Sequence, residues 1–269
     1  MATAAPIKIG IAGALGRMGW AVARLIDARD DVVIAAIYDV PGSEGQVVDY
    51  EGGHSRVMVT REEALGLCDV IVDFTAPEAT VALARQASQN GKPALILGST
   101  GLSAEQEAVI AAAAAKIPIV RSRSFSLGVN TLLGLVRQAA ERLGPEAWDI
   151  EVFEAHHKRK VDAPSGTALM LGEAAAEGRG QTLADISDRG RDGITGPRKQ
   201  GHIGFSVMRG GDIIGEHQVI FAGQNEILTL GHSARDRALF AQGAVQSAAW
   251  IVGKKPGLYD MLDVLGFKA

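Results

Sequence analysis

The segment Ile7-Lys8-Ile9-Gly10-Ile11-Ala12-Gly13-Ala14-Leu15-Gly16-Arg17-Met18-Gly19 joins an aliphatic run to three glycines at GxxGxxG spacing. Residues 7–12 read as a buried strand. Residues 20–28 then set Val22, Leu25 and Ile26 along one side of a helix. Residues 32–38 form a second strand, which ends at Asp39, 20 positions after Gly19. A glycine triplet alone reads equally as a tight turn. With a strand before it, a helix and strand after it and an acid at the end, the unit suits a dinucleotide. Glycines let the backbone approach a pyrophosphate, the helix start offers free N–H groups, and the acid takes the ribose hydroxyls. A carboxylate repels a 2′-phosphate, so Asp39 favours NADH over NADPH; Arg17, close by, softens that preference.

Outward from this unit the pattern repeats. Residues 41–55 are polar and glycine-rich and read as a loop, with a short strand at 57–60. A helix at 61–67 leads to a strong strand at 70–74, ending in Asp73-Phe74-Thr75. A helix at 78–90 is closed by Gly91. Residues 94–97 are again a strand, followed by Gly98-Ser99-Thr100-Gly101. Ser103 and Gln106 form a capping box for a helix that runs through the alanines 111–115 to 116. The strand at 117–120 leads into Arg121-Ser122-Arg123-Ser124-Phe125. Alternating strands and helices imply a parallel, doubly wound α/β sheet. Ligands bind beyond the carboxyl ends of such strands, so the ends at Gly13, Asp39, Phe74, Gly98 and Ser122 are expected to form one rim.

After Phe125 the pattern changes. A long helix at 127–143 precedes a strand at 148–155, a helix at 165–177 and a polar loop at 178–201. Strands at 202–209, 212–221 and 226–232 follow, separated by Gly210-Gly211 and Gly223-Gln224-Asn225. Glycine turns between alternating strands predict an antiparallel meander, and hence a second, α+β domain with a mixed or antiparallel sheet. A helix at 235–252 and a tail at 258–265 close the chain.

Composition narrows the classes. The 269 residues are enough for one large domain or two smaller ones, and 47% apolar residues supply a core. A net charge of −4 argues against nucleic acid as a partner. Apolar runs fall far short of the ~20 residues that span a bilayer, so no membrane role is expected. Cys68 is the only cysteine, which fits a reducing compartment. Residues 1–6 lack the basic and apolar regions of an export signal. The expectation is a cytoplasmic protein.

The densest chemistry lies in Glu154-Ala155-His156-His157-Lys158-Arg159-Lys160-Val161-Asp162-Ala163-Pro164-Ser165-Gly166-Thr167-Ala168. A basic run is most often a solvated turn. Adjacent histidines on a strand point to opposite faces and do not readily chelate one ion; with no cysteine cluster or HExxH motif, no metal is expected. An anion site fits better. Gly166 and Thr167 begin a helix, where N–H groups and the Thr167 hydroxyl hold a carboxylate. Lys160 adds positive charge, and a histidine can deliver the proton that must accompany a hydride. The chain then reads as a two-domain enzyme in which a nicotinamide cofactor serves a small dicarboxylate. Two rivals stay open: a different two-domain dehydrogenase, and a non-catalytic NAD(H) sensor, which would have no need of the His156/His157/Lys160/Gly166/Thr167 set.

The 154–168 segment resembles the dihydrodipicolinate reductase family. So, in order, do Gly13 to Gly19, Asp73-Phe74-Thr75, Gly98 to Gly101, residues 125–130, Gly211-Asp212-Ile213-Ile214-Gly215-Glu216-His217 and the 240–250 helix. The resemblance covers nearly the whole chain. It implies NAD(P)H-dependent reduction of 4-hydroxy-tetrahydrodipicolinate to tetrahydrodipicolinate on the diaminopimelate route to lysine. It implies His156 as proton donor, Lys160 as a second catalytic cation, and His157, Gly166 and Thr167 as substrate-carboxylate contacts. It places the cofactor on Gly13, Ala14, Leu15, Gly16, Arg17, Met18, Asp39, Gly98, Ser99, Thr100, Ser122, Arg123, Ser124 and Phe125. It further implies a homotetramer built through the second sheet, and a nucleotide domain of residues 1–126 with 236–269 around a substrate domain of 127–235. Ser99 stands where threonine is common, Ser122-Arg123-Ser124-Phe125 replaces Ala-Ala-Asn-Phe, and Val40 stands where some members carry an arginine for the 2′-phosphate. The last substitution makes NADH the expected cofactor.

Overall fold

A computed structural model describes residues 5–50 and 54–268. The start of the chain, where an export signal was sought, and part of the expected 41–55 loop lie outside the described residues. The elements run β1 (Ile7–Ala12), α1 (Arg17–Asp27), β2 (Val32–Tyr38), β3 (Val47–Tyr50), β4 (His54–Val57), α2 (Arg61–Leu67), β5 (Val70–Asp73), α3 (Pro77–Asn90), β6 (Ala94–Leu97), α4 (Ala104–Ala114), β7 (Pro118–Arg121), α5 (Leu127–Arg142) and β8 (Asp149–His156). They continue with α6 (Gly166–Gly178), α7 (Leu183–Ile186), β9 (Ser187–Asp188), β10 (Ile203–Arg209), β11 (Gly215–Ala222), β12 (Ile227–Ala234), α8 (Ala238–Ile251), β13 (Gly257–Tyr259) and α9 (Met261–Val264). The chain divides into two units, residues 1–127 with 238–269, and residues 128–237.

The first unit carries a six-stranded sheet in the order β13-β7-β6-β5-β1-β2, parallel throughout. Parallel ladders need crossovers, and crossovers cover both faces, so the central strands are apolar on both sides. On β5, Val70 and Val72 join Ile9, Ile11, Val22 and Ile26 under α1 and α8, while Ile71 joins Leu65, Leu83, Leu95 and Ile110 under α2, α3 and α4. Each such side chain, fully buried, stabilises the fold by roughly 1.5–3 kcal/mol. Local signals set the helix ends. Thr60 with Glu63 and Ser103 with Gln106 form capping boxes, and Gly91 ends α3 at φ 69°. Because every strand runs the same way, the ends at Ala12, Tyr38, Asp73, Leu97 and Arg121 share one edge.

The 41–55 segment is not all loop. β3 and β4 pair antiparallel, and β4 ends at Val57, where the sequence pattern predicted a strand beginning. Four residues per strand are too few to show a period. The hairpin is anchored by Tyr50, which is 1% exposed, donates its hydroxyl to the Ala14 carbonyl at 3.3 Å and meets the Trp20 ring edge-on at 5.1 Å. Similarly, the expected 178–201 loop contains α7 and the short strand β9.

The second unit holds a five-stranded mixed sheet in the order β12-β11-β8-β10-β9. Here a prediction fails. Gly210-Gly211 is not a hairpin turn, because β8 lies between β10 and β11, parallel to the first and antiparallel to the second. Residues 210–214 instead cross the end of β8: Gly210 N–H donates to the His156 carbonyl at 3.0 Å, and Lys158 N–H donates to the Gly211 carbonyl at 3.2 Å. Five residues at ~3.3 Å each easily span two strand spacings of ~4.8 Å. Local turn chemistry could not distinguish this crossing from a two-residue hairpin. The β11–β12 hairpin does form, with Gly223 N–H donating to the Glu226 carbonyl. One face of the sheet packs Ile150, Val152, Phe205, Val219 and Phe221 against Leu132 and Val136 of α5 and Leu171 and Ala175 of α6.

Candidate active site

β8 alternates its side chains, so Val152, Glu154 and His156 share the helix-covered face. Val152 packs in the core; two residues on, Glu154 is buried, and at the strand end His156 is 8% exposed. His217, opposite Glu154 on β11, lies on the same face. α6 begins just beyond, with Ser165 as its N-cap: the Ser165 hydroxyl accepts from Ala168 N–H at 3.2 Å. That leaves the N–H groups of Gly166 and Thr167 without an intrahelical acceptor, as at any helix start. The strand end and the helix start thus place His156, Ser165, His217, Gly166 and Thr167 together.

Glu154 is the hub. Its Oε2 accepts from His156 Nδ1 at 2.6 Å and Arg209 Nη1 at 2.8 Å; its Oε1 accepts from Arg209 Nη2 at 2.8 Å and Ser165 N–H at 3.0 Å. Burial pushes the Glu154 carboxyl up, but hydrogen bonds from Arg209, His156 and Ser165 outweigh it and hold the group below the usual carboxylate range. An ionised carboxylate has no proton to give, so His156 carries its proton on Nδ1, and Nε2 is the nitrogen that can exchange one. His217 stands edge-on to His156, centroids 5.1 Å apart, with its Nε2 3.1 Å from the Ser165 hydroxyl. Burial, together with the nearby charge of His156, pushes His217 down to about 4. It is therefore neutral at pH 7.

The loop 157–164 brings Lys160 to the site. Its Nζ pairs with Asp162 Oδ1 at 2.9 Å, and its N–H donates to the His157 carbonyl. His157 Nδ1 is buried and has no hydrogen-bond partner among the described residues. Arg159, exposed, pairs with Asp212. Among the described residues no cluster of three or more His, Cys, Asp or Glu side chains could hold a metal ion.

In the first unit the strand-end edge carries the other predicted residues. Gly13 (φ +75°) turns the chain, and its N–H and that of Ala14 donate to the Tyr38 carbonyl. Leu15 N–H donates to Asp39 Oδ2 at 2.9 Å, and Gly16 N–H to the Gly13 carbonyl. Of the loop's donors, those of Arg17, Met18 and Gly19 in the first turn of α1 remain for an anion. A Cβ on Gly19 would lie 2.3 Å from the Gly13 carbonyl oxygen, so loop and helix are in direct backbone contact. A dinucleotide pyrophosphate fits this cradle, with Asp39 at the neighbouring strand end for a ribose. Buried Asp73 fastens the middle of the rim: it accepts from Thr75 N–H at 2.8 Å and from the Thr80 hydroxyl at 2.5 Å, and Ser99 joins the network. The Ser99 side chain consequently points inward and offers only its backbone; Gly98 and exposed Thr100 flank it. Ser122 bonds back to the Ser124 carbonyl, Ser124 is buried, and exposed Arg123 is the residue of this turn that faces outward. Phe125 is in the core, its ring edge-on to Phe74 at 5.6 Å.

Glu154, Arg209, His217 and Asp162 had no role assigned from sequence. The alternation of β8 is a signal that would have paired Glu154 with His156. Arg209 was hidden by the hairpin expectation, since its place beside His156 follows from the parallel β8–β10 pairing.

A parallel nucleotide-type sheet followed by a mixed sheet that ends in a histidine–carboxylate pair at a helix start defines a two-unit NAD(P)H-dependent oxidoreductase. Comparison with known proteins is specific. The family model "Dihydrodipicolinate reductase, N-terminus" matches residues 7–125, and "Dihydrodipicolinate reductase, C-terminus" matches residues 128–265. The chain belongs to the dihydrodipicolinate reductase family. It is 65% identical over 263 residues to the 4-hydroxy-tetrahydrodipicolinate reductase of Caulobacter vibrioides, covering 98% of each chain. It is 51% identical to that of Rhizobium rhizogenes, covering 97% of each. The fold matches the dipicolinate-bound dihydrodipicolinate reductase of Paenisporosarcina sp. TG-14 with a TM-score of 0.77 at 22% identity, over 96% of this chain and 98% of that one. No helix among the described residues is long and apolar enough to cross a membrane.

Proposed function

We propose that the site at the end of β8 carries out the family's reaction with His156 as proton donor and the start of α6 as carboxylate clamp. The reaction is the NAD(P)H-dependent reduction of 4-hydroxy-tetrahydrodipicolinate to tetrahydrodipicolinate, in the diaminopimelate route of lysine biosynthesis. It consumes one hydride and one proton and releases one water. The observation that carries the assignment of roles is the Glu154–His156 bond, which leaves Nε2 as the exchanging nitrogen, while the same carboxylate accepts from the N–H of Ser165, the N-cap of α6. When bound, the nicotinamide supplies the hydride. Gly166, Thr167 and His157 hold the substrate carboxylates, and His156 delivers a proton from Nε2 to the atom made basic by reduction. Lys160 stabilises negative charge, with Asp162 restraining its side chain. Arg17 and Met18 bind the pyrophosphate through their N–H groups, while Gly13, Ala14, Leu15 and Gly16 shape the turn beneath it. Gly98, Ser99, Thr100 and the 122–125 turn, with Arg123 outermost, border the nicotinamide.

NADH is the preferred cofactor on this reading. Asp39 presents a carboxylate at the ribose position, and Val40, 65% exposed, puts an apolar side chain where a 2′-phosphate would need a cation. A homotetramer assembled through the second sheet is supported by its open face, where Phe153 and Ile220 are half-buried and Ile227 is 68% exposed. A cytoplasmic location accords with a substrate from central metabolism. The test supplies the substrate in situ from pyruvate and aspartate semialdehyde through the preceding aldolase and follows absorbance at the nicotinamide band. Consumption of NADH faster than NADPH is expected; oxidation of neither would refute the reading.

A further inference from the structure

Glu154 is a fully buried carboxylate that the reaction described above does not consume. Both its oxygens are filled, and Arg209 grips it end-on with two N–H groups. Arg209 is held in turn by the Asp162 carbonyl at 2.6 Å and that of Met208 at 2.8 Å. The free nitrogen of His156, Nε2, faces Gly215, where a Cβ would come within 3.2 Å of it. The smallest residue therefore stands where any side chain would press on the exchanging nitrogen.

We propose that Glu154 is the positioning residue of the proton donor. It fixes the His156 proton on Nδ1 and holds Nε2 on the Gly215 side of the ring, and with Arg209 it places two opposed charges beside the imidazole. The proposal rests on the reading of His156 as donor. The groups facing His156 are few. Glu154 is on its own strand, Arg209 on β10, and neutral His217 on β11 with His232 opposite it on β12. Ser165 at the start of α6 is uncharged. On the 157–164 loop Lys160 is paired with Asp162, and Arg159 with Asp212 on the crossing segment. Glu154 is the carboxylate in direct contact with the ring, and Arg209 neutralises it.

The two charges act in opposite directions, which gives a test that a merely structural role would not satisfy. Glu154→Gln, Arg209→Met and the double variant are compared through the pH dependence of kcat/KM, with NADH affinity as the folding control. A general acid is active below its titration point. Glu154→Gln is expected to move the basic limb to lower pH by about one unit, the low end of what an adjacent opposite charge produces. Arg209→Met is expected to move it to higher pH, and the double variant to fall between. Limbs that stay put while kcat falls at every pH, or that move the same way in both single variants, overturn the proposal. Should a single variant fail to fold, the double variant, which leaves no lone buried charge, is compared with wild type by ¹⁵N shifts of His156. Neutral His156 is expected to be protonated on Nδ1 in wild type, with that bias lost in the double variant; protonation on Nε2 in wild type overturns the proposal. If His156→Gln keeps the wild-type rate, the donor reading fails, while the ¹⁵N result still reports on Glu154 separately.

Discussion

Gly19→Ala gives a sharp test of the nucleotide cradle because two effects of the change have opposite signs. Gly19 is the third residue of α1. Alanine in a helix is ordinarily better than glycine by roughly 0.5–1 kcal/mol, so propensity alone predicts a more stable protein. The added Cβ, however, would sit 2.3 Å from the Gly13 carbonyl oxygen and 2.9 Å from Ala14 Cα. Ordinary contact begins near 3.4 Å, so loop and helix must separate by about 1.1 Å (3.4 − 2.3). Both obstructing atoms are backbone and cannot swing aside. Overpacking of this kind costs ~1–3 kcal/mol, which outweighs the propensity gain and lowers the melting midpoint by several degrees. The same separation draws the Arg17 and Met18 N–H groups from the Gly13 turn. Misaligning one charge-assisted hydrogen bond, worth ~1.5–3 kcal/mol, weakens NADH binding by about 10- to 100-fold. Calorimetry and fluorescence titration with NADH read the two effects. Gly66→Ala in α2, where nothing lies within 4 Å of the new methyl, is the control and should stabilise modestly. A Gly19→Ala protein as stable as wild type with unchanged NADH affinity would refute the cradle.

Other outcomes follow from the same geometry. His156→Gln is expected to lower kcat by ~10²–10⁴ while leaving NADH affinity intact, the range for loss of a general acid; a wild-type rate in stopped assays removes His156 from that role. Asp39→Asn should shift the ratio of NADH to NADPH affinity toward NADPH by roughly tenfold; the ratio cancels any loosening of the Leu15 N–H bond, which affects both cofactors alike. His217 has a folded-state proton affinity lowered from 6.5 to about 4, so the unfolded chain binds the extra proton first. Its contribution is complete above pH 6.5 and is lost as pH falls toward 4, by up to ~3 kcal/mol. Denaturant melts across that window should show the slope, and His217→Gln should flatten it.

Much of the first unit was legible because each element announces itself locally. The run 7–12 is aliphatic, the glycines are spaced, and Ser103 and Gln106 mark a helix start. Parallel order then follows from alternation alone. The second unit was harder for a physical reason. Strand order there depends on which distant segment docks beside β8, and Gly210-Gly211 carries the same turn chemistry whether the chain doubles back or steps across a strand. The site shows the same division. His156, Lys160, Gly166 and Thr167 lie within one contiguous stretch, whereas Arg209 and His217 reach it through pairings 53 and 61 positions away from His156 in sequence (209 − 156 and 217 − 156). Ser99 and Ser124 are expected among the cofactor contacts, yet their side chains are buried, which only packing reveals.

The interruption of the first unit has a consequence for how the protein comes into being. Ile9, Ile11, Val22 and Ile26 are covered in part by Ala241, Ala244, Val245, Ala248 and Ile251, which the ribosome delivers only after the second unit. While the whole second unit is being synthesised, the nascent nucleotide-binding half must carry an uncovered apolar face. That face invites self-association or chaperone capture during the wait. Chains truncated before α8 should therefore accumulate as aggregates even though five of the six strands of the first sheet are already present, and cofactor binding should appear only once α8 has emerged.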